Sequence, residues 1–428
     1  MILGLSRWGT NIGSSPLFLT DVLIFLGLCN WFIFNLRTTP PVGEEKRVGS
    51  PTLSFTLLFG FVIFRSLFSL ENGPLLDWIR DAAPFFYAFL AFVSSNSARR
   101  ATQEARKRTA QVFMVALTFH LLWVIGITLT ESRGFNSPLG AAPLFEMRPD
   151  IDGAILGIGA GMFLMKGLRE QKRLLPLLAV SASVACVLLN NSRAALVSAA
   201  LSITIAFLLH YVTTKENRTK RARLQLIIPV AVVALLVVLP LTAPGQRVLA
   251  TIDKSQAHSE GQINALGTER ARQLVWSQVV TWTNEDPARL LFGSGFGNDF
   301  LTQSGTLQFL EGTTYDNVRS PHNWFIGIYA RMGLIGIALT ISILFGLVLI
   351  VFRNRRAIAD DPLLSVSTLI VVAILPVATL GVVLEAPFGA VPFWWAAGII
   401  YASRASRGAE THLRIPSTAT NDFVPLSQ

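Results

Sequence analysis

Residues 322–352, HNWFIGIYARMGLIGIALTISILFGLVLIVF, decide the fold class of this chain. Arg331 is the only Lys, Arg, Asp or Glu residue in the stretch. An α-helix needs about 20 apolar residues to cross ~30 Å of hydrocarbon, so this stretch is long enough to span a membrane. It is also longer than one span requires. We therefore expect its start, from His322 to Arg331, to lie at the membrane interface or to re-enter the membrane.

Apolar blocks of similar character recur along the whole chain. Of the 428 residues, 51% are hydrophobic and only 14% are charged, with a mean hydropathy of +0.51. A soluble domain has about a quarter of its residues charged, so the composition excludes an ordinary water-soluble enzyme. It predicts an all-α, polytopic transmembrane helix bundle of about 11–12 spans with one large external loop that contains short amphipathic helices. The eleven spans are predicted at 17–36, 51–70, 74–94, 110–130, 151–168, 173–190, 192–212, 224–242, 322–352, 363–383 and 385–402.

The net charge of +10 reflects topology rather than nucleic-acid binding. Most of the 36 Lys and Arg residues fall in alternate connections between spans, and the positive-inside rule assigns those connections to the cytoplasm. The opposite connections are then external. The basic connections are 37–50, 95–109, 166–173, 213–223, 353–356 and the C-terminal tail.

The predicted organisation is a single integrated membrane domain. Residues 243–321 are too polar to span and too long for a passive connector, so they form the large external loop. Within this loop, Arg270 to Val280 predicts a short amphipathic helix, and the run GSGFG at 293–297 predicts a turn. The four parts are 1–242, an N-terminal transmembrane bundle of about eight spans; 243–321, the external loop; 322–402, the C-terminal spans; and 403–428, a cytoplasmic tail.

Three ionisable residues stand out on the predicted external side. His322 lies at the start of a span, where an imidazole can titrate near neutrality and take a proton from a hydroxyl. The alternative is an interfacial histidine that hydrogen-bonds a carbonyl. Arg193 begins a span on the outer side, and Arg272 lies on the predicted amphipathic helix, four residues before Trp276.

Further arginines fall at predicted membrane depth. Arg65, Arg80 and Arg331 are possible cavity-lining residues, because charges at such depth are costly and usually face a polar cavity or a partner. An alternative for Arg80 is an ion pair with Asp77 or Asp81, which flank it at helical spacing. Guanidinium forks match phosphate geometry. An arginine-lined cavity open to the outside therefore suits a lipid-linked diphosphate.

Asp150 and Asp152 allow two interpretations. They could coordinate a divalent metal on a diphosphate, or they could cap the N-terminus of the span that follows. Two carboxylates alone make a sparse site, so we predict the capping role, no metal and no cofactor. Cys29 and Cys186 both lie inside apolar blocks, which excludes a disulfide framework and a cysteine-based metal site.

Three stretches together resemble a known family. Asn191-Ser192-Arg193-Ala194-Ala195-Leu196 is the first, and Arg272-x3-Trp276 followed by Leu291 to Gly297 is the second. The third runs from Pro321-His322-Asn323-Trp324 to Gly333-Leu334-Ile335-Gly336. Each motif is weak alone. In this order and spacing, over roughly 185–340, they resemble the O-antigen ligase/polymerase family of bacterial membrane glycosyltransferases.

The resemblance implies a membrane glycosyltransferase in the bacterial inner (cytoplasmic) membrane with its site facing the periplasm. Such enzymes pass a glycan from undecaprenyl diphosphate to an acceptor hydroxyl. By matching motifs, His322 is the expected general base of an inverting displacement, and Arg193 and Arg272 are expected to hold the diphosphate. The acceptor could be a glycolipid, a glycan or a protein, so ligase, polymerase and protein O-oligosaccharide ligase all stay open.

The expected partners are the lipid-linked donor, the acceptor and membrane lipids, with no nucleic acid. An alternative of another class is a transporter of an anionic lipid-linked sugar. That alternative favours charges near the midplane and broken helices in related halves.

Overall fold

A computed structural model describes residues 13–14, 17–37, 50–130, 147–169, 174–190, 192–213, 242, 245–248, 260–310 and 318–403. The predicted all-α fold class is confirmed. In the described ranges, extended structure is limited to a two-residue antiparallel pair, Gly13–Ser14 (β1) with Leu17–Phe18 (β2).

The helices fall into two sets, before and after the region 214–259. The first set is α1 (Leu19–Arg37), α2 (Ser50–Leu67), α3 (Leu75–Phe86), α4 (Leu90–Arg100), α5 (Gln103–Thr130), α6 (Pro149–Arg169), α7 (Leu174–Leu189) and α8 (Arg193–Thr213). The second set is α9 (Glu260–Asn284), α10 (Pro287–Phe292), α11 (Phe300–Gln303), α12 (Trp324–Arg353), α13 (Arg355–Asp360), α14 (Pro362–Thr379) and α15 (Pro387–Ala402).

Among the described residues, 5 helices are long and apolar enough to cross a membrane: α5, α6, α8, α12 and α14. Shorter apolar segments lie in α1, α2 and α7. The predicted apolar blocks therefore correspond to helices, because a helix that crosses the hydrocarbon must consist of consecutive apolar residues, which can be read from the sequence. The predicted span 224–242 lies outside the described residues.

The predicted span 74–94 is corrected, because it is not one regular helix. A 3-10 turn at Tyr87–Phe89 separates α3 from α4, and Pro84 lies inside α3 just before that turn. Proline removes a backbone N–H and clashes with the preceding turn, which favours a change of helical geometry there. The charged connection predicted at 95–109 is correspondingly short, since α4 continues to Arg100 and α5 begins at Gln103.

The helix predicted in the loop 243–321 is also longer than expected. The amphipathic pattern predicted Arg270 to Val280, whereas α9 runs over 25 residues from Glu260 to Asn284. The side of α9 that carries Val275 and Val279 packs with Phe300, Leu301 and Leu310 in a small apolar core of its own. This core gives α9 a fixed surface against the start of α12.

Helix α6 lies at the centre of the bundle and packs closely against α8. Gly153 and Gly157 face Ala195 and Ala199, and a Cβ atom on Gly157 would lie 2.8 Å from the Cα atom of Ala199. Small residues let two helix backbones approach inside a membrane, where van der Waals packing holds helices together. This contact fixes the outer ends of α6 and α8 side by side.

Candidate active site

Arg272 and His322 line the same pocket. The pocket is a partly open hollow of ≈ 340 Å³, a volume that includes open solvent, between α9 and the segment that leads into α12. Its wall is mostly apolar, so the two ionisable side chains and one hydroxyl are its main polar features. The lining residues are Ala271, Arg272, Val275, Leu310, Val318, Ser320, Pro321 and His322.

Hydrogen bonds to its neighbours fix the backbone around His322. The indole Nε1 of Trp276 donates to the Pro321 carbonyl at 2.7 Å, across from α9. Asn323 is the N-cap of α12, and its side-chain oxygen accepts from the amides of Phe325 and Ile326. His322 itself has a φ of 52°, a left-handed conformation that is uncommon for a non-glycine residue. Such strain persists where surrounding contacts hold it, and it clusters at functional sites.

Two arginines act on His322 electrostatically. Burial and the positive charges of Arg272 and Arg148 together lower the pKa of His322 from 6.5 to about 4, while Asp150 opposes them. At neutral pH the imidazole is therefore uncharged, which is the form that can accept a proton. Arg148 and Asp150 thus belong to the same site, although they come from the start of α6.

Arg193 is joined to this site through α9. Its Nη1 atom lies 3.8 Å from Oε2 of Glu269, which precedes Arg272 by one helical turn. Asn190, just before α8, donates through Nδ2 to the Pro149 carbonyl at 3.0 Å. The beginnings of α6 and α8 therefore meet beside α9. Arg193 is not among the residues that line the pocket.

A glycine-rich turn supports the site from behind. Helix α12 is interrupted at Gly333, whose φ of 63° and ψ of −162° are not helical. The interruption frees the carbonyls of Ala330 and Arg331 from the helical ladder, and the amides of Ser294 and Gly295 donate to them at 2.7 and 3.0 Å. Buried backbone groups at membrane depth require such partners. The predicted turn at 293–297 thus completes the broken helix.

The same turn is held on its other side by α2 and α3. Arg65 donates through Nη2 to the Gly293 carbonyl at 3.0 Å, and Asp81 accepts from the Gly297 amide at 3.2 Å. Gly293, Gly295 and Gly297 all have positive φ, so the turn needs glycine at these positions. Arg65 is therefore a contact of the turn rather than part of the pocket wall.

Arg331 lies in a buried ionic cluster behind the pocket. Its Nη2 atom is 3.1 Å from Oδ1 of Asp81 and its Nη1 atom is 3.9 Å from Oε2 of Glu385. Ser320, a pocket residue, donates to the other carboxylate oxygen of Glu385 at 2.9 Å. Arg80 lies near this cluster and is ion-paired with Asp77 at 3.5 Å, as the alternative interpretation of its flanking acids predicted. Neither Arg80 nor Arg331 lines the pocket.

Asp150 and Asp152 make local contacts at the start of α6. Asp150 accepts from Nε of Arg148 at 2.8 Å and from the Ile151 amide. Asp152 is fully buried, accepts from the Arg148 amide at 2.6 Å and lies 3.8 Å from Nε2 of His120. Within the described part of the chain, no three His, Cys, Asp or Glu side chains are grouped closely enough to hold a metal.

Arg148 is the site residue that the sequence analysis missed. It belongs to the predicted external connection before span 151–168 and resembles an ordinary loop arginine. The available signal was its position directly before Pro149 and Asp150, at the external start of a span. Proline at the first helical turn and an acid beside it are typical of a helix N-terminus.

The fold and the site define a multi-pass membrane protein with arginines and an uncharged histidine gathered where α9 meets the starts of α6, α8 and α12. Residues 177–341, less than half of the chain, match the family model described as O-antigen ligase. This confirms the resemblance inferred from the sequence. The matched region includes Arg193, Arg272 and His322, and it leaves Arg148 and Glu385 outside. No curated protein matches the chain.

Proposed function

We propose that this protein transfers a glycan from undecaprenyl diphosphate to an acceptor hydroxyl at the external face of the bacterial inner membrane. The observation that carries the proposal is the common pocket of Arg272 and His322, one suited to a diphosphate and the other to a proton. The O-antigen ligase family domain supports a glycosyltransferase-like ligase of the membrane. The proposed division follows the four parts 1–242, 243–321, 322–402 and 403–428, with the site at the second and third.

The proposed reaction is a single inverting displacement. The acceptor oxygen attacks the anomeric carbon of the lipid-linked sugar, and its proton passes to the neutral imidazole of His322. The bond between the anomeric carbon and the phosphate oxygen breaks, so that undecaprenyl diphosphate leaves with the bonding electrons. Arg193 and Arg272 stabilise the charge that grows on that leaving group. Preorganised positive charge of this kind is commonly the largest catalytic contribution.

The basicity of His322 fits this sequence of events once the donor is bound. In the free protein the positive charges of Arg272 and Arg148 lower the pKa of His322. A bound diphosphate compensates those charges, and we expect the pKa of the imidazole to rise toward its ordinary value. The base then becomes stronger only when a donor is present, which limits unproductive protonation.

The acceptor distinguishes three forms of the same chemistry. It is a glycolipid in a ligase, a lipid-linked glycan in a polymerase and a protein hydroxyl in an O-oligosaccharide ligase. The proposed mechanism uses no metal and no cofactor, since the arginines supply the positive charge. A screen of these three acceptor classes with one purified donor would separate the three forms.

The test uses purified protein in lipid nanodiscs with a lipid-linked donor and an acceptor. His322→Ala should lower the transfer rate by ~10²–10⁴-fold, as loss of a general base typically does. His322→Asn is the matched variant, because Asn tolerates the positive φ of this position but has no basic nitrogen. Both variants should fail equally. Near-normal transfer by His322→Asn would exclude the assigned role.

The arginines are tested by charge and shape. Lys at position 193 or 272 keeps the charge but loses the guanidinium fork, so Arg193→Lys and Arg272→Lys should retain more activity than the Ala variants. Arg108→Gln is the control, since the Arg108 side chain is 75% exposed and, among the described residues, its ion pair is with Glu104, one turn earlier. If Ala at both arginines left turnover equal to that of Arg108→Gln, the diphosphate would have to bind elsewhere.

A further inference from the structure

Arg148 is held rigidly at the start of α6. Its Nε atom donates to Asp150 at 2.8 Å, and its guanidinium lies 5.1 Å from the ring centroid of Phe388. Its backbone amide donates to Asp152, which anchors the residue to the first turn of the helix. The side chain nevertheless keeps 23% of its surface exposed. These contacts fix the plane of the guanidinium without covering it.

The fork of this guanidinium is largely unused. The ion pair with Asp150 is made through Nε, and neither Nη atom of Arg148 donates a hydrogen bond to any residue that the structure describes. The Nη atoms of arginine carry the donors that bind two oxygens of one phosphate side by side. A planar group that is stacked on an aromatic ring loses little freedom when such a ligand arrives.

The position of Arg148 places this fork at the proposed active site. It is one of two arginines whose charges lower the pKa of His322, together with Arg272. The carbonyl of Pro149, its neighbour in sequence, accepts from Asn190, which lies just before Arg193. Three arginines thus come from the starts of α6 and α8 and from α9. Arg148 and Arg272 act on the histidine, and Arg193 is linked to α9 through Glu269.

Two of these arginines already have an acidic partner. Asp150 is paired with Arg148, and Glu269 lies 3.8 Å from Arg193. An arginine with a nearby carboxylate can exchange that carboxylate for a phosphate with little change in its own solvation, because both ligands have the same geometry and sign. This arrangement keeps the charges compensated before the donor binds.

We propose that Arg148 is a third arginine of the diphosphate site, and that Asp150 is the carboxylate the diphosphate competes with. The inference rests on the proposed function and extends it to a residue outside the matched family region. It makes an asymmetric prediction. Removing the arginine weakens binding of the diphosphate, whereas removing the acid leaves binding equal or makes it tighter.

The experiment measures the affinity of undecaprenyl diphosphate, which carries no glycan, for the protein in nanodiscs. Arg148→Gln should weaken binding by roughly 10- to 100-fold, the loss expected for one hydrogen-bonded charge contact. The affinity of Arg148→Lys should lie between those of wild type and Arg148→Gln. Asp150→Asn should bind as tightly as wild type or more tightly. Arg108→Gln, far from the site in sequence and exposed, serves as the control.

A purely structural role gives a different pattern. If Arg148 served only to hold Asp150 and the start of α6, then Arg148→Gln and Asp150→Asn would weaken binding equally, and both would lower the melting temperature. That result would overturn the inference. Unchanged binding in Arg148→Gln would overturn it as well.

Failure of the inference and failure of the proposed function are distinguishable. If wild type binds undecaprenyl diphosphate and Arg272→Ala weakens it while Arg148→Gln does not, only the role of Arg148 is wrong. If wild type does not bind, or if the Ala variants of Arg193 and Arg272 bind like wild type, the proposed diphosphate site itself is wrong and the role of Arg148 falls with it.

Discussion

The interruption of α12 makes Gly333 a position where a single methyl group should be strongly destabilising. Gly333→Ala places a side chain at φ 63° and ψ −162°, a region open essentially to glycine alone. Such backbone strain costs on the order of 1–3 kcal/mol. The new Cβ atom would also lie 2.5 Å from the carbonyl carbon and oxygen of Leu291.

The clash cannot be relieved cheaply, because its partners are backbone atoms. Moving them apart pulls the glycine-rich turn away from α12 and breaks the hydrogen bonds of Ser294 and Gly295 to the freed carbonyls, at 2.7 and 3.0 Å. Each such bond contributes about 1 kcal/mol, and more when it leaves a buried carbonyl unpaired. Together with the backbone strain, the expected destabilisation of Gly333→Ala is about 3–5 kcal/mol.

Gly305→Ala is the matched control. Gly305 also has a positive φ, 70°, but no heavy atom lies within 4 Å of the position that its Cβ atom would occupy. It should cost only the left-handed strain, ~1–2 kcal/mol. The assay is thermal unfolding of both variants in the same detergent, and Gly333→Ala should lower the melting temperature at least twice as much. Equal shifts for the two variants would refute the role given to the turn.

Further predictions concern the pocket. Trp276→Phe removes a hydrogen bond worth about 1 kcal/mol that fixes the backbone before His322. It should lower kcat several-fold with little change in the donor KM, while Trp282→Phe on the same helix should not; equal losses in both would contradict the positioning role. Because the pKa of His322 is about 4, kcat/KM should stay constant from pH 8 to about 5 and fall below that. Arg148→Gln removes a charge that lowers this pKa, so the fall should begin at a higher pH; an unmoved profile would argue against their coupling. Transfer should resist EDTA, and Asp152→Ala should cost ~1 kcal/mol of stability as a lost helix cap; inhibition by EDTA that magnesium reverses would overturn the metal-free mechanism.

Much of the fold could be predicted because a membrane-spanning helix is defined by consecutive residues. A helix must be apolar over about 20 residues to cross the hydrocarbon, and this property can be counted in the sequence. The predicted block 151–168 corresponds to a helix at Pro149–Arg169, and 363–383 to one at Pro362–Thr379. The breaks inside helices were not predictable in this way. The interruption at Gly333 depends on a turn some 40 residues earlier, which supplies the missing donors.

The candidate site was predicted unevenly for a related reason. His322, Arg193 and Arg272 lie in stretches with a recognisable order, so their types and spacing pointed to them. Arg148 carries no such pattern, and its relevance depends on α6 and α8 meeting beside α9. Arg331 illustrates the converse. Its predicted depth in the membrane suggested that it lines a cavity. Its partner Asp81 is 250 residues away in the chain, and no local pattern reveals that ion pair.

The contacts of the glycine-rich turn have a consequence for the order in which the protein assembles. Arg65 and Asp81 find their partners in this turn 228 and 216 residues later in the chain. At ~5–20 residues per second, synthesis of that interval takes roughly 10–50 s. During this time α2 and α3 have been synthesised, but Arg65 and Asp81 cannot yet make their contacts with the turn. Those helices therefore enter the bilayer before Arg65 and Asp81 can make their contacts with the turn, and these contacts form only after residues 293–297 have been synthesised.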